Sequence, residues 1–152
     1  MFLDPVEYTN QDITFFAVGA HHQNGIAESH IKILTLGART ILLHAQQHWP
    51  ESITTMLWPL ALLAVKERHN VLKFDANGKI PLEKFYGVQG DVGIKYFHTW
   101  GCSVYVLDSR LQYGHSKLPN WYQRDRARIY LGHYTVHSNS VALVLNPMTG
   151  HF

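Results

Sequence analysis

Glu28, Lys32, Thr35 and Arg39 fall at i, i+4, i+7 and i+11, so at 100° per residue on a helix they share one narrow polar stripe. A carboxylate at the head of such a stripe has two readings. It complements the helix dipole and pairs with Lys32 in the better of the two i, i+4 orientations. Alternatively, it binds a divalent metal while the cations track phosphates. One carboxylate does not build a catalytic metal site, because Mg²⁺ chemistry on phosphates needs several converging oxygen ligands. On spacing alone the dipole reading is favoured, since stripes of this kind are usually solvated.

A second group lies near the other end of the chain. Arg124, Arg126 and Arg128 alternate, so in a strand they share a face, and Trp121 and Tyr122 stand just before them. Cations beside aromatics suit phosphate contact with stacking on bases. An exposed strand edge guarded by charge explains the same residues equally well. Among the eleven histidines, His44 and His48 share a helix face but lack the glutamate of a zinc-protease motif and a third ligand. They read as surface residues, and His21-His22 as part of a plain loop. Cys102 sits among Gly101 and apolar neighbours and reads as a buried strand residue, not a nucleophile. The Ser and His residues show no triad order.

These residues need elements to hold them. Ile13 to Val18, I-T-F-F-A-V, reads as a buried strand. After A-H-H-Q-N-G, a helix is expected from about Ile26 to Gln47, stopped by Pro50. Ala27, Ile31, Leu34, Ala38, Ile41 and Ala45 form its core face, and Gly37 interrupts it without breaking the pattern. A second helix, roughly Ser52 to Asn70, is apolar nearly all round, which requires burial or packing on its predecessor. D-A-N-G-K makes a loop and P-L-E-K-F-Y-G a short helix. From Asp91 the texture changes to short strands at Val104 to Leu107, Arg128 to Gly132 and Val141 to Leu145, with N-P-M-T-G as a turn. His151 stands where the return strand of that hairpin is expected to begin. The predicted class is α+β: one leading strand, two long packed helices, then a small antiparallel β module.

With 152 residues the chain has room for one domain, or one domain and a small module. The longest apolar run, Met56 to Val65, is too short for a membrane span, so no membrane partner is expected. An acidic N-terminus argues against a signal peptide, and a single cysteine excludes an internal disulfide and fits a reducing, intracellular compartment. Net charge is +2 and unevenly spread. Residues 1–20 carry three acids and no Lys or Arg, residues 21–90 seven bases and five acids, and residues 91–152 six bases and three acids. The basic bias toward the C-terminus weakly favours an anionic partner.

Several of these segments together resemble one family. Q-N-G-I-A-E (Gln23 to Glu28), followed by a helix with A-R-T (Ala38 to Thr40), resembles the end of the integrase core in copia-type retrotransposon polyproteins. Trp58, Ala61 and Asn70 match its next helix, and Pro81, Glu83, Phe85 and Gly87 match its T-P-Y-E-L-W-x-G segment. Trp100-Gly101-Cys102 with Tyr105-Val106 is similar to F-G-C-x-A-Y-V, Ile129 to His133 to I-F-V-G-Y, and Asn146 to Gly150 to D-P-E-T-G. Each motif is weak singly, but six in order from Phe15 onward are a strong resemblance.

That resemblance implies a ribonuclease H-like core in which two aspartates and a glutamate hold two Mg²⁺ or Mn²⁺ ions for strand transfer. Residues 1–90 would be the back part of the core, an incomplete fold, and residues 91–152 a small β-rich module truncated at its C-terminus. Glu28 matches the glutamate of the triad. Lys32 matches a position one turn on that contacts the element's DNA end, and Gln23 and Asn24 match the loop entering the helix. Arg39 continues the stripe. His21-His22 depart from the family's aromatic and Thr-Pro. The second aspartate should lie roughly thirty-five residues before Glu28 to complete a two-metal site. That count falls before Met1, while Asp4 and Asp12 do not match.

Two functions are therefore expected to compete. One is an integrase fragment, catalytic only within a longer polyprotein, with retroelement and target DNA and other integrase subunits as implied partners and the nucleus as the implied site. The other is a decayed or co-opted interaction module without enzymatic activity. In either case Ile31, Leu34 and Leu62 are expected to lack partners that the rest of the core sheet would supply.

Overall fold

The computed structural model describes residues 24–72, 74–87, 97–108, 111, 119–133 and 141–152. The chain divides into two compact units, Met1–Ile33 and Leu34–Phe152. The expected strand at Ile13 to Val18 lies outside the described residues, as do Asp4, Asp12, His21, His22 and Gln23.

Helix α1, Gly25–His48, has the extent its apolar spacing predicts. Trp49 still donates its N–H to the Ala45 carbonyl at 2.9 Å. Pro50 then ends the run, because its ring disfavours helical geometry at the residue before it. Ala38, Leu42 and Ala45 are buried, Ile41 packs against them and Leu34 is half-buried. Ala27 and Ile31, expected on the same face, are exposed.

The second helix starts later than expected. A 3-10 turn, Thr55–Leu57, leads into α2, Trp58–Leu72. Pro59 explains the start, since the first helical turn is the one place where a missing N–H costs nothing. Of the two expectations for this apolar helix, burial all round or packing on its predecessor, the second holds. Ala61 and Ala64 are buried and Leu62 and Val65 pack against the core, whereas Trp58 is 58 % exposed. Gly37 is the device that lets α1 and α2 approach. A Cβ at that position would lie 2.9 Å from Val65 Cγ1.

Helix α3, Pro81–Tyr86, is short and capped at both ends. Glu83 accepts the Ile80 N–H at 3.2 Å, and the Gly87 N–H donates to the Glu83 carbonyl at 2.8 Å. Before it, Asp75 holds the loop by accepting the N–H groups of Asn77 and Lys79, both at 2.8 Å, and pairs with Lys84 at 2.6 Å. These three partners lower the Asp75 carboxyl to about 2, Lys84 contributing most.

Strands β1, Ser103–Leu107, β2, Asp125–His133, and β3, Ala142–Leu145, form an antiparallel sheet in the order β1-β2-β3. Ser103 pairs with Ile129 and Leu107 with Asp125; Ile129 pairs in turn with Leu145. The β2–β3 register shifts between Tyr130 and His133, an irregularity of the kind that bends a strand. Beyond β3 the N-P-M-T-G turn closes as expected. Gly150 donates to the Asn146 carbonyl at 2.9 Å, and Asn146 donates to that of His151 at 2.8 Å.

Within the second unit, helices and sheet share one core. Trp100, Ile129, Leu131 and Leu145 pack with the buried face of α1, with Ile53 and with Ala61. The shift in sequence texture near residue 90 therefore separates helices from strands that bury a common set of side chains. Polar ties reinforce the joint: Trp49 Nε1 donates to the Gly101 carbonyl at 2.9 Å and Ser52 Oγ to that of Pro147 at 3.1 Å, while on the sheet side Trp100 Nε1 donates to the Leu131 carbonyl at 3.0 Å. The observed class is α+β.

Candidate functional site

Glu28 stands in the first turn of α1, exposed, with Lys32 one turn further on and also exposed. A carboxylate there faces the free N–H groups and positive end of the helix, which stabilises it without any ligand. Asn24 precedes the helix, half-buried. Arg39 is exposed beside an apolar groove of about 350 Å³ walled by Ala38, Leu42, Trp58 and Leu62.

The described residues do not fit the metal pair that the resemblance implies. Among them no three His, Cys, Asp or Glu side chains converge as a metal site, and a single carboxylate does not supply the oxygen ligands Mg²⁺ takes. The His44 and His48 rings lie 4.9 Å apart, tilted at 47°, and His48 Nδ1 lies 3.0 Å from the His44 carbonyl. A carbonyl only accepts, so that ring nitrogen carries the proton and the imidazole serves the helix surface. Cys102 is half-buried, and burial raises its thiol, the opposite of an activated nucleophile.

The arginine run divides by role. Arg124 is exposed and lies one residue before β2. Arg126 and Arg128 alternate within the strand, opposite Val106 and Val104. Arg126 is not equivalent to its neighbours, because its Nη2 donates to Asp108 Oδ2 at 2.9 Å. Asp108 is the one buried charged side chain among the described residues, at 4 % exposed. Its backbone N–H also donates to the Arg124 carbonyl at 2.9 Å. Arg128 is half-buried and donates to the Ala127 carbonyl at 2.8 Å.

The pairing carries a prediction. Arg126→Ala leaves a buried carboxylate without its guanidinium and should cost about 2 kcal/mol, less than a fully buried pair because the arginine is half-exposed. Converting Asp108 to Asn in the same chain should restore much of it. Urea denaturation checks both variants. A loss below about 0.5 kcal/mol for Arg126→Ala, the scale of an ordinary surface substitution, would refute the anchoring role.

Two features had no signal in the sequence. The first is an open polar pocket of about 420 Å³ where the end of β1 meets the segment entering β2. The second joins α2 to β2. Burial raises Glu67, with His133 opposing the shift, and burial raises the Tyr130 hydroxyl, with Glu67 adding to it. That hydroxyl lies 3.4 Å from His133 Nε2, and the His98 ring meets the Tyr130 ring edge-on. The cavity they enclose is only about 10 Å³, room for at most one water, so the cluster serves packing. No helix among the described residues is long and apolar enough to cross a membrane.

The motifs behind the family resemblance fall at structural joints. Gly101 accepts from Trp49 just past α1, Trp100 packs in the core that α1 shares with the sheet, Glu83 and Gly87 cap α3, and Asn146 and Gly150 close the last turn. Set against known protein families, curated proteins and solved structures, the chain finds no match in any of the three.

Proposed function

We propose that this chain is the back part of a copia-type retroelement integrase and that its own contribution is to contact nucleic acid, not to join it. On this reading residues 1–90 belong to a ribonuclease H-like core and residues 91–152 to the β-rich segment that follows it. Strand transfer belongs to the complete polyprotein, and Glu28 is one carboxylate of a site whose other ligands come from elsewhere. DNA is the partner, other integrase subunits complete the site, and the nucleus is where the reaction takes place.

One observation carries the nucleic-acid contact: the exposed cluster Trp121, Tyr122, Arg124 and Arg126 at the entry to β2. Guanidinium groups beside exposed rings suit a polyanion with stacking faces. Gln23, Asn24 and Lys32 are the positions assigned to DNA at the front of the chain by the resemblance, and Arg39 extends the stripe that Lys32 belongs to.

The test is binding of a labelled duplex across a salt series. Removing all three arginines would mix binding with the Asp108 anchor, so the informative variant changes Arg124 and Arg128 to Gln and keeps Arg126. Its slope of log affinity against log salt should be shallower than wild type by up to about 2, one for each phosphate that an arginine no longer neutralises. No binding at low salt, or an unchanged slope, would refute the proposal.

A second reading, a non-enzymatic interaction module, has its own observation. Trp58, 58 % exposed, lines the apolar groove, and Met56, 80 % exposed, follows Thr55 of the same lining. Exposed apolar surface of this kind marks protein-binding faces. Retained salt-independent association with no DNA binding would favour it.

A further inference from the structure

We propose that β1 is a self-association edge: two copies of this chain join antiparallel through Ser103–Leu107, about a twofold axis at Tyr105, into one continuous sheet. The proposal goes beyond the nucleic-acid reading and does not rest on it.

Among the described residues β1 is an edge strand, paired with β2 on one side only. The hydrogen-bond pattern fixes which of its groups point outward. Tyr130 donates its N–H to the Cys102 carbonyl, and Asp108 donates to that of Arg124, both at 2.9 Å. In an antiparallel ladder bonded residues alternate, so the even-numbered positions of β1 direct their backbone groups to β2. The N–H and carbonyl groups of Ser103 and Tyr105 therefore face the other way.

Edge strands are commonly guarded by Lys, Pro, bulges or an inward charge. S-V-Y-V-L carries no charge and no Pro, and its register with β2 runs unbroken over all five residues. The edge at β3 differs, four residues long with a register shift beside it. Tyr105 and Leu107 share a face of β1 and are 70 % and 48 % exposed.

The strand's own sequence selects a second copy as the occupant. V-Y-V reads the same in both directions. Antiparallel pairing about Tyr105 sets Val104 of one copy opposite Val106 of the other and the two Tyr105 rings side by side. This is the register that pairs all five residues, and aromatic and β-branched cross-strand pairs are the ones that stabilise sheets. Each Tyr105 N–H would donate to the other copy's Tyr105 carbonyl. With no charge on β1, no like charges meet across the axis. Such an interface uses the same patch on both copies and closes at two.

Sedimentation equilibrium of the full chain, without nucleic acid, should show a reversible monomer–dimer equilibrium across a concentration series. Tyr105→Lys sets two ammonium groups opposite each other and should weaken the dimer about tenfold or more. Because Tyr105 is largely exposed and its N–H does not serve β2, the variant should keep the wild-type circular dichroism spectrum. The register is read by cross-linking in a Cys102→Ser background, with oxidised glutathione as oxidant. Tyr105→Cys should yield a disulfide-linked dimer, since hydrogen-bonded antiparallel pairs stand about 5.5 Å apart at Cα, within disulfide reach. Ser103→Cys, set opposite Leu107 of the other copy, should not link to itself.

A monomer at every concentration overturns the proposal. So does a dimer that Tyr105→Lys leaves unchanged, or equal cross-linking of the Tyr105→Cys and Ser103→Cys variants. None of these measurements contains DNA, so their failure leaves the nucleic-acid reading standing, and failure of the salt series leaves the edge assignment standing.

Discussion

Gly101→Ala should destabilise the chain by about 2–5 kcal/mol, combining the cost of a left-handed backbone with that of overpacking. Gly101 has φ +82, a conformation side chains rarely adopt, and a Cβ there would overlap Ala45 Cβ and stand 3.2 Å from Ala45 Cα. Nothing nearby yields cheaply. Ala45 is 1 % exposed within α1, and the Gly101 carbonyl accepts Trp49 Nε1 while its N–H donates to the Tyr130 carbonyl at 2.7 Å. A shift of Gly101 would therefore pull on helix and sheet together. The two causes separate in a double-mutant cycle. Ala45→Gly removes the overlapping atom but leaves the backbone strain, and by itself costs about 1 kcal/mol in helix propensity. The double variant should lose less than the sum of the singles. Strict additivity would show that the close approach is not the cause.

Gly101 also marks what the sequence could and could not convey. In the sequence it is one member of a W-G-C motif, and Gly37 is a blemish in a helical pattern. In the fold both are places where another element comes close, and nothing local records which element that is. Features set by neighbours along the chain were legible. The spacing of apolar residues and Pro50 gave the extent of α1, and Pro81 with Gly87 bracketed α3. Alternating and β-branched runs gave three strands of the sheet. The start of α2 was displaced because Pro59 in an apolar run says little about which residue opens the helix.

The candidate site divides in the same way. The i, i+4 spacing of Glu28 and Lys32 follows directly from residue numbers, as does the run from Trp121 to Arg128. The inequality within that run does not. Arg126 looks like Arg124 until Asp108, 18 residues earlier, is brought beside it. The polar pocket needs that same long-range pairing, since Asp108, one residue past β1, supplies one wall and Trp121 to Gln123 with the start of β2 the other. The motifs behind the integrase resemblance meet the physics of the fold in part. Ala61, Trp100 and Ile129 pack in the core, Glu83 and Gly87 cap α3, and Asn146 and Gly150 close a turn, whereas Trp58, Phe85 and Tyr105 are largely exposed and the fold alone does not account for them.

Trp100→Ala should cost about 3–5 kcal/mol, the range for removing a large aromatic from a core. That is a large share of the roughly 5–15 kcal/mol that holds a typical domain together. Trp100 is 2 % exposed and sits where α1, α2 and the sheet meet, beside Ile129 and Leu131. Its indole has two tasks, filling that junction and donating Nε1 to the buried Leu131 carbonyl at 3.0 Å. Trp100→Phe keeps most of the ring volume and removes the donor, so it should cost only about 1–3 kcal/mol, the penalty for an unsatisfied buried carbonyl. Urea denaturation of the two variants separates the tasks, and the Ala variant should also melt at a visibly lower temperature. If Phe cost as much as Ala, the hydrogen bond would outweigh the packing. If neither cost more than about 1 kcal/mol, Trp100 would behave as an ordinary surface residue and the helices and sheet would not share this core. Nucleic-acid binding would then have to be argued for the β-rich segment without support from α1 and α2. A large Ala penalty with a small Phe penalty means the opposite: the exposed cluster at the entry to β2 stands on a sheet whose position depends on the helices, and truncations that remove them should lose the proposed nucleic-acid contact as well.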